Sequence, residues 1–443
     1  MIEESVKTAL EFLNTKGLEG DAFGIRSRKV SYSIMNGEIS DSTQYEDMGL
    51  GIRVLNNGRL GFGYCVPGKE EIGVKRALEL SKLSRKMEIS FPDENGTADV
   101  KTFDLKVKDA VEEGIGIDLA QNMIESAYSV DKDIIPTRGE MSLGYGTKIV
   151  GNTKGVFVAQ DATIIGGAIA ATIPGEKTSL MAGEGRSSRE LDVNFEEVGL
   201  KAGEKVVSMK VKETIPAGDI PVVMSPDAIG MLLYFGLIPS FNGENVRKGK
   251  SVYQGRMNEK VAGEHTSIID DPTSHWGIGS FPFDDEGVIS SPVPLVEDGH
   301  LKNYLYDLKE AVNSDSKTTG NGVRASFKSP PQIGDRNIII EGKDISYDSL
   351  VEDRVILVDG VMGAHTSNPA SGDFSVVANP VWLVENGVKK GRLDGLMVSG
   401  NLPETLRTME LGDDYKKIYA SIGSTAVKME LPSIKLTDVT ISG

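Results

Sequence analysis

The chain has 443 residues, which is too long for one hydrophobic core, so two or three domains are expected. Its composition, 39% hydrophobic and 26% charged, is that of an ordinary soluble protein. The formal net charge of −17 argues against direct binding of nucleic acid, because phosphate recognition depends on Lys and Arg side chains.

The sequence predicts a cytoplasmic protein without a membrane partner. No stretch approaches the ~20 consecutive apolar residues that span a bilayer. Residues 1–5 are acidic and lack the basic and apolar regions of a signal peptide. Cys65 is the single cysteine, which excludes an intrachain disulfide and a thiolate-rich metal site. Its apolar, strand-like surroundings predict a buried structural thiol.

Residues 1–90 are predicted to form an N-terminal α/β subdomain. A helix is indicated by the stripe Val6, Ala9, Leu10 and Leu13, and a second helix by Ile72, Leu78, Leu80 and Leu83. Strand-like runs lie at Ala22–Arg26, Val30–Met35, Gly51–Leu55 and Leu60–Tyr64. Asn57-Gly58 joins the last two runs and predicts a type I′ hairpin turn, because both residues tolerate positive φ.

Residues 91–215 are predicted to form a central α/β subdomain. A helix is indicated by Leu119, Met123, Ile124 and Ala127. Strands are predicted over Met141–Val150 and Val156–Ala171, with a turn at 152–155 between them. A closing helix is predicted over Phe195–Val211. Gly166-Gly167 lacks the spacing and the lysine of a phosphate loop and is interpreted as a tightly packed strand.

Residues 216–443 are predicted to form a large β-rich domain. Short β-type runs include Val293–Glu297, Asn337–Glu341, Val355–Val358 and Val381–Glu385. Asp298-Gly299 and Asn386-Gly387 predict further hairpin turns. The fold class is therefore α+β: an N-terminal α/β half in which helices flank antiparallel strands, and a C-terminal, mainly antiparallel β domain of barrel or sandwich type.

Two clusters of polar residues are candidates for chemistry. His265, Asp270, Asp271 and His275 offer four oxygen and nitrogen ligands within eleven residues, so a metal site is one interpretation. The alternative is a turn at Asp270-Asp271-Pro272, with the histidines facing solvent. Asp284 and Glu286 would share one face of a strand and suggest a pair of catalytic carboxylates. A turn or a cation-binding loop is the alternative for that segment.

A glycine-rich segment is the candidate for peptide binding. Thr319, Gly320, Asn321 and Arg324 have the form of a ligand loop in which Arg324 would anchor an anion or a peptide. A purely structural loop is the alternative. Asp373, in the segment Ser371–Ser375, allows the same choice, with Phe374 as a core anchor. We find no nucleophile elbow of the form GxSxG, and no Ser/His/Asp set can be assigned.

Over nearly its whole length the chain resembles the TldD/PmbA family, the modulators of DNA gyrase. The resemblance is carried by Gly51–Val54, Gly61–Tyr64, Lys250–Tyr253, Glu259–Ala262, Asp270-Asp271, Phe283–Gly287, Thr319–Gly322, Gly372–Ser375 and Ser399–Asn401. Each segment is short, but their order and spacing together are specific. The resemblance implies two related subunit types, one with a metal-binding HExxxH helix and a distant cysteine, and a PmbA or TldE type without them.

Alignment to the family places the metal motif on an apolar run. The two histidine positions fall on Tyr234 and Pro239, and the glutamate position falls on Phe235. Zinc needs about three N, S or O ligands from the protein together with a base that activates water, and these side chains do not provide them. Ser225-Pro226 still has the form of an N-cap followed by proline, so the helix itself is expected to be retained.

The resemblance implies a non-catalytic subunit. It would pair with a TldD-like metallopeptidase chain, which would carry the zinc, and would shape the cavity for unfolded peptides. No cofactor is expected in this chain itself, and a homodimer is an option when the chain is alone. Two alternatives stay open: an independent metal-dependent hydrolase with ligands at His265, Asp270, Asp271 and His275, and a non-enzymatic regulator associated with gyrase.

Overall fold

A computed structural model describes residues 1–176, 178–214, 220–422 and 425–443. None of the helices in these ranges is long and apolar enough to cross a membrane. The helices are α1 (Ile2–Thr15), α2 (Glu70–Ser81), α3 (Leu105–Glu113), α4 (Gly116–Val130), α5 (Phe195–Ser208), α6 (Pro226–Gly236), α7 (Gly243–Arg247), α8 (Leu308–Asn313), α9 (Tyr347–Leu350) and α10 (Leu402–Thr408). Single turns of 3-10 helix occur at Ile238–Phe241 and Ala364–Thr366.

The strands of the N-terminal half are β1 (Glu19–Met35), β2 (Glu38–Asn56), β3 (Arg59–Cys65), β4 (Ile135–Asn152), β5 (Phe157–Ile173) and β6 (Leu180–Ser188). The strands that follow are β7 (Val222–Met224), β8 (Ser267–Asp270), β9 (Val293–Glu297), β10 (His300–Leu301), β11 (Gly322–Val323), β12 (Gln332–Ile333), β13 (Ile338–Glu341), β14 (Val355–Val358) and β15 (Val361–Met362). The last strands are β16 (Asp373–Ala378), β17 (Val381–Glu385), β18 (Val388–Arg392), β19 (Met397–Asn401), β20 (Glu410–Leu411), β21 (Lys416–Ile422), β22 (Thr425–Leu431), β23 (Ile434–Leu436) and β24 (Val439–Ser442).

The N-terminal half is one antiparallel sheet of order β3-β2-β1-β4-β5-β6. Its strands alternate between two packed faces. One face carries Ala22, Ile52 and Val54 against α1 and α2, and farther along packs against α3, α4 and α5. The opposite face carries Phe23 and contacts Phe327 of the C-terminal half. The sheet is therefore a middle layer, covered by helices on one side and by the second half of the chain on the other.

The hairpin predicted at Asn57-Gly58 is confirmed, with φ of 50° and 74° at the two residues and Asn56 paired with Arg59. The predicted strand runs Ala22–Arg26 and Val30–Met35 are parts of one strand, β1. The polar residues between them also pair with β2 and β4.

Helix α2 presents an unexpected face to the sheet. The predicted stripe includes Ile72 and Leu80, yet these side chains are 46% and 50% exposed. The face that packs on β3 is made of small residues, among them Ala77, because backbones approach closely there. A Cβ atom at Gly61 would lie only 1.9 Å from the carbonyl oxygen of Ala77. Close approach of helix and strand excludes large side chains from this contact.

The C-terminal half contains two larger mixed sheets, of order β10-β9-β8-β13-β22-β21 and β18-β17-β14-β7-β23-β20. Most neighbours are antiparallel, whereas β13–β22 and β14–β7 are parallel. These sheets, α6 and the four-stranded sheet β15-β16-β19-β24 enclose the largest core. The other face of the second sheet packs Leu357 and Trp382 into the core that contains α4 and α5.

The α+β class with mainly antiparallel sheets is confirmed. Every sheet in the described part of the chain is open, so the C-terminal half has a sandwich-like arrangement and does not close as a barrel. Strands from both sides of residue 90 form one sheet. The boundary between an N-terminal and a central subdomain at that residue stays a prediction of the sequence.

Candidate functional site

Helix α6 carries the positions at which the family places its metal motif. Its start follows from the sequence: the hydroxyl of Ser225 accepts a hydrogen bond from the amide of Ala228, and Pro226 occupies the first turn, where no donor is needed. The helix is apolar on most of its surface and is buried in the C-terminal core. The predicted helix with its N-cap is therefore confirmed.

The three motif positions offer no set of zinc ligands. Burial and the nearby carboxylate of Asp335 raise the pKa of the Tyr234 phenol, so the phenol stays protonated at neutral pH. Phe235 packs edge-on against Tyr234, with 5.4 Å between ring centroids, and lies 6.5 Å from the ring of His365. Pro239 lies in the 3-10 turn after α6. A phenol, a phenyl group and a pyrrolidine ring do not fit a divalent zinc ion.

A small polar group remains beside this helix. The hydroxyl of Tyr234 donates to a carboxylate oxygen of Asp335 at 3.4 Å. The ammonium group of Lys428, on β22, donates to the backbone carbonyl of Asp335 at 2.7 Å and lies 3.7 Å from its carboxylate. The second carboxylate oxygen of Asp335 is buried without a hydrogen-bond partner among the described residues. This group of a phenol, an ammonium group and one carboxylate lacks the set of ligands that zinc catalysis needs.

Lys428 also lines a cleft of about 360 Å³ between the two halves. Its walls come from β6 and the start of α5 on one side, and from β21, β22 and residues 274–278 on the other. In the described residues β6 pairs only with β5, and β21 only with β22, so each strand ends its sheet. Unpaired strand edges are places where an extended peptide can add as a further strand.

The halves are joined elsewhere by a buried ion network. The guanidinium of Arg53, on β2, pairs with the carboxylates of Asp21 on β1 and Glu286 in the C-terminal half. Arg324 lies 3.4 Å from Asp21, and Lys148 on β4 lies 2.6 Å from Asp285. Apart from the 13% exposed side chain of Lys148, these side chains are almost fully buried.

Two segments that the sequence analysis treated separately meet in this network. The amide of Gly322 donates to the carboxylate of Asp284 at 2.9 Å, and the amide of Arg324 donates to Asp285 at 2.7 Å. The amide of Asp285 donates in return to the carbonyl of Gly322 at 2.8 Å. Glu286 accepts from the amide of Leu308 at 2.8 Å. The acidic segment and the glycine-rich loop are therefore bonded to each other, and together they form the ion pairs with the N-terminal half.

The candidate residues of the glycine-rich loop serve internal contacts in this structure. Asn321 is 1% exposed, and its side-chain amide donates to Asp270 at 2.6 Å. The hydroxyl of Thr319 donates to the side-chain oxygen of Asn321 at 2.7 Å. Gly320 adopts a φ of 71°, which permits the turn. Arg324 is 6% exposed, so its guanidinium faces the ion network and not solvent.

The four candidate metal ligands are held in different contacts. Asp270 accepts hydrogen bonds from the backbone amides of Arg336 and Asn337 at 2.8 and 3.0 Å. Asp271 accepts from Thr273, as the predicted turn requires, and His275 accepts from the amide of Lys101.

His265 has a φ of 70°. The part of the chain that the structure describes holds no group of three or more His, Cys, Asp or Glu side chains placed to bind a metal ion.

Asp373 is the one peptide-binding candidate that faces solvent. It lies on β16 opposite Asn401 of β19, whose side-chain amide donates to it at 2.9 Å. This hydrogen bond and that of Ser371 lower the pKa of the Asp373 carboxyl. Asp373 lies on a sheet surface apart from the cleft, since it is absent from the cleft lining.

Asp21, Arg53, Lys148 and Asp335 are not among the site residues predicted from the sequence. For Arg53 the sequence does show a charged residue between two apolar ones, Ile52 and Val54. In a strand with one packed face that pattern indicates a solvent-facing side chain. In this protein the C-terminal half covers the opposite face of the sheet. A local sequence pattern does not reveal that this face is covered.

Comparison with known proteins identifies the family. Models of the PmbA/TldA metallopeptidase family match domain 1 over residues 20–82, the central domain over 104–210 and the C-terminal domain over 217–443. The chain belongs to the PmbA/TldA metallopeptidase family. The family predicted from the sequence motifs is thereby confirmed.

Relatives within the PmbA/TldA family match most of the chain. An uncharacterised protein of Methanocaldococcus jannaschii is 32% identical over 399 residues, 86% of this chain and 89% of that protein. A metalloprotease TldD homologue of Buchnera aphidicola is 25% identical over 478 residues, with 100% and 96% of the two chains covered. The crystal structure of TldE from Thermococcus kodakarensis superposes with a TM-score of 0.90 at 26% identity, covering 100% and 99%.

Proposed function

We propose that this chain is a TldE-like, non-catalytic subunit that pairs with a TldD-type metallopeptidase chain and helps to hold unfolded peptide substrates. The observation that carries the proposal is the state of α6. The helix is capped by Ser225 and is buried in the C-terminal core, while the motif positions hold Tyr234, Phe235 and Pro239. A scaffold that persists where the chemistry is absent is expected of a subunit whose task is assembly and positioning. The similarity to TldE supports the same reading.

The cleft suggests how such a subunit would contribute to peptide binding. An extended peptide offers backbone donors and acceptors that match the free edges of β6 and β21. This mode depends on the backbone and not on particular side chains, which suits substrates without a folded structure. The zinc and the water that it activates would belong to the partner chain.

The proposal is tested by producing this chain alone and together with the TldD-type chain of the same organism. We expect co-elution of the two chains, zinc in the assembled pair, and cleavage of an unstructured peptide by the pair only. The matched comparison is the partner chain alone, which measures what this subunit adds. A chelator should abolish cleavage without separating the chains.

Two results would overturn the proposal. Stoichiometric zinc and chelator-sensitive peptidase activity in this chain alone would favour an independent metallopeptidase. Failure to associate with the TldD-type chain, combined with association with purified gyrase, would favour the regulator. Copurification with both would be resolved by comparing the affinities at equal concentrations, and tighter binding to gyrase would count against the proposal.

A further inference from the structure

Three basic side chains surround the ring of Phe281, at the junction of the two halves. The ammonium nitrogen of Lys148 lies 3.7 Å from the ring centroid, and the guanidinium carbons of Arg189 and Arg336 lie at 4.9 and 5.8 Å. Each distance suits a cation–π contact, but one ring cannot balance three positive charges. Burial lowers the pKa of Lys148, and burial together with Arg336 lowers the pKa of Arg189 to about 9.

One carboxylate, that of Asp285, is bonded to this cluster, and both its oxygens are already engaged. One accepts from Lys148 at 2.6 Å, and the other accepts from the backbone amide of Arg324 at 2.7 Å. Within the described residues no salt bridge reaches Arg189 or Arg336; the only one at the cluster joins Lys148 to Asp285. The three cations thus share one anion, which leaves two positive charges in a buried setting.

Arg189 and Arg336 differ in how their donors are used. Each guanidinium nitrogen of Arg189 donates to at least one backbone carbonyl oxygen, and the acceptors are Thr163, Gly277, Ile278 and Ser280. Arg336 donates from Nε to the carbonyl of Gly279 at 3.1 Å, but its Nη2 is buried and has no hydrogen-bond partner among the residues that the structure describes. The residue is only 3% exposed. A buried charged donor without an acceptor is costly, so Nη2 of Arg336 marks a place for a ligand.

The surroundings define what the ligand can be. Phe281 is half-buried and the side chain of Lys148 is 13% exposed, so the cluster is reachable from solvent. The near-complete burial of Arg336 favours a small ligand, and the excess positive charge requires an anion. We propose that a small monoanion, a chloride ion or a single carboxylate group, binds beside Arg336 and Lys148. This site goes beyond the proposed subunit role, because it is formed by residues of this chain and does not require the partner chain.

Thermal unfolding of the whole chain tests the site. Chloride is titrated at constant ionic strength against the bulky sulfonate anion of HEPES, so that general screening stays the same. We expect a saturable rise in Tm for the wild type and loss of that rise for Arg336→Gln. Arg354→Gln is the matched control, because Arg354 is an exposed arginine paired with Glu385 at the surface. It should respond to chloride as the wild type does.

Crystals of the wild type soaked in bromide give a second measurement that does not depend on a variant folding. An anomalous peak within hydrogen-bond distance of Nη2 of Arg336 would support the proposal. Absence of both the saturable Tm response and the bromide peak would overturn it, as would an undiminished chloride response in Arg336→Gln.

The source of the anion is resolved by competition with bound bromide. Displacement by acetate and by an N-acetylated dipeptide acid, but not by the dipeptide amide, would assign the site to a peptide carboxylate. Displacement by chloride alone would assign it to the free ion. Both outcomes support an anion site and differ only in its occupant.

Discussion

A carboxylate oxygen of Glu184 lies 2.7 Å from the ammonium nitrogen of Lys205. The same nitrogen lies 2.7 Å from Asp359, and Lys416 lies 3.0 Å from Glu184, so this group ties β6 and α5 to the C-terminal half. Burial would raise the pKa of Glu184, but the two lysines outweigh it and lower the pKa to about 2. The group therefore stabilises the fold in its charged state.

This arrangement predicts how stability depends on pH. The folded pKa of about 2 lies below the ordinary value of 4.5, so the contribution is complete above about pH 4.5 and is lost as pH falls towards 2. We expect Glu184→Gln to lower the free energy of unfolding by about 3 kcal/mol at neutral pH. The deficit should shrink as pH falls through that window. Urea unfolding of the wild type and the variant from pH 7 to pH 3 measures this difference in the free energy of unfolding. A difference that does not change with pH would contradict the lowered pKa of Glu184. Glu204→Gln, an exposed position on the same helix as Lys205, is the control.

Arg53 is expected to be essential for stability. Arg53→Met leaves the carboxylates of Asp21 and Glu286 buried without their shared counter-ion, so the free energy of unfolding should fall by about 3–5 kcal/mol. Arg85→Met is the control, because Arg85 is exposed and donates a hydrogen bond to Asn313 at the surface. This change should lower the free energy of unfolding by less than about 1 kcal/mol. Equal losses for the two variants in urea unfolding would show that the network contributes little.

Restoring part of the metal motif should not create a peptidase. In Tyr234→His combined with Phe235→Glu, Pro239 still provides no ligand, and zinc would have too few protein donors. We expect no stoichiometric zinc by elemental analysis and no cleavage of an unstructured peptide. Tightly bound zinc in this double variant would mean that another side chain near α6 completes a site.

Arg324 is a candidate peptide anchor in the sequence, with a structural loop as the alternative, and its place in the ion network favours the alternative. Arg324→Met should lower the temperature of unfolding, because it removes one of the two arginines that pair with Asp21, and should leave the KM of the assembled pair for peptide unchanged. Lys328→Met, at an exposed position of the same loop, is the control for a general effect on charge. A rise in KM for the Arg324 variant, with unfolding unaffected, would restore the anchor role.

Local features of the fold were predictable because local chemistry determines them. The turn at Asn386-Gly387 has positive φ at both residues, 51° and 72°, and Val293–Glu297 is a strand with the predicted ends. The cap at Ser225 follows from side-chain chemistry alone. By contrast, the exposed position of Leu80 depends on glycines in a neighbouring strand, which the period of the helix does not reveal.

The site was predictable only where it depends on residue type. The absence of zinc donors at Tyr234 and its neighbours can be read from the sequence. The pairing of Arg324 with Asp21 joins residues 303 positions apart, and that of Arg53 with Glu286 spans 233 positions. No periodicity connects such residues, because their contact depends on how the two halves of the chain dock.

The shared ion network also constrains the order of events during synthesis. Asp21, Arg53 and Lys148 leave the ribosome well before Asp285, Glu286 and Arg324 are made. Until residue 324 emerges, one side of the first sheet carries charges with incomplete partners and the uncovered ring of Phe23. The N-terminal sheet, complete once β6 is made, therefore exposes a charged and partly apolar surface while residues 189–324 are synthesised, and such transiently exposed surface favours aggregation unless chaperones cover it.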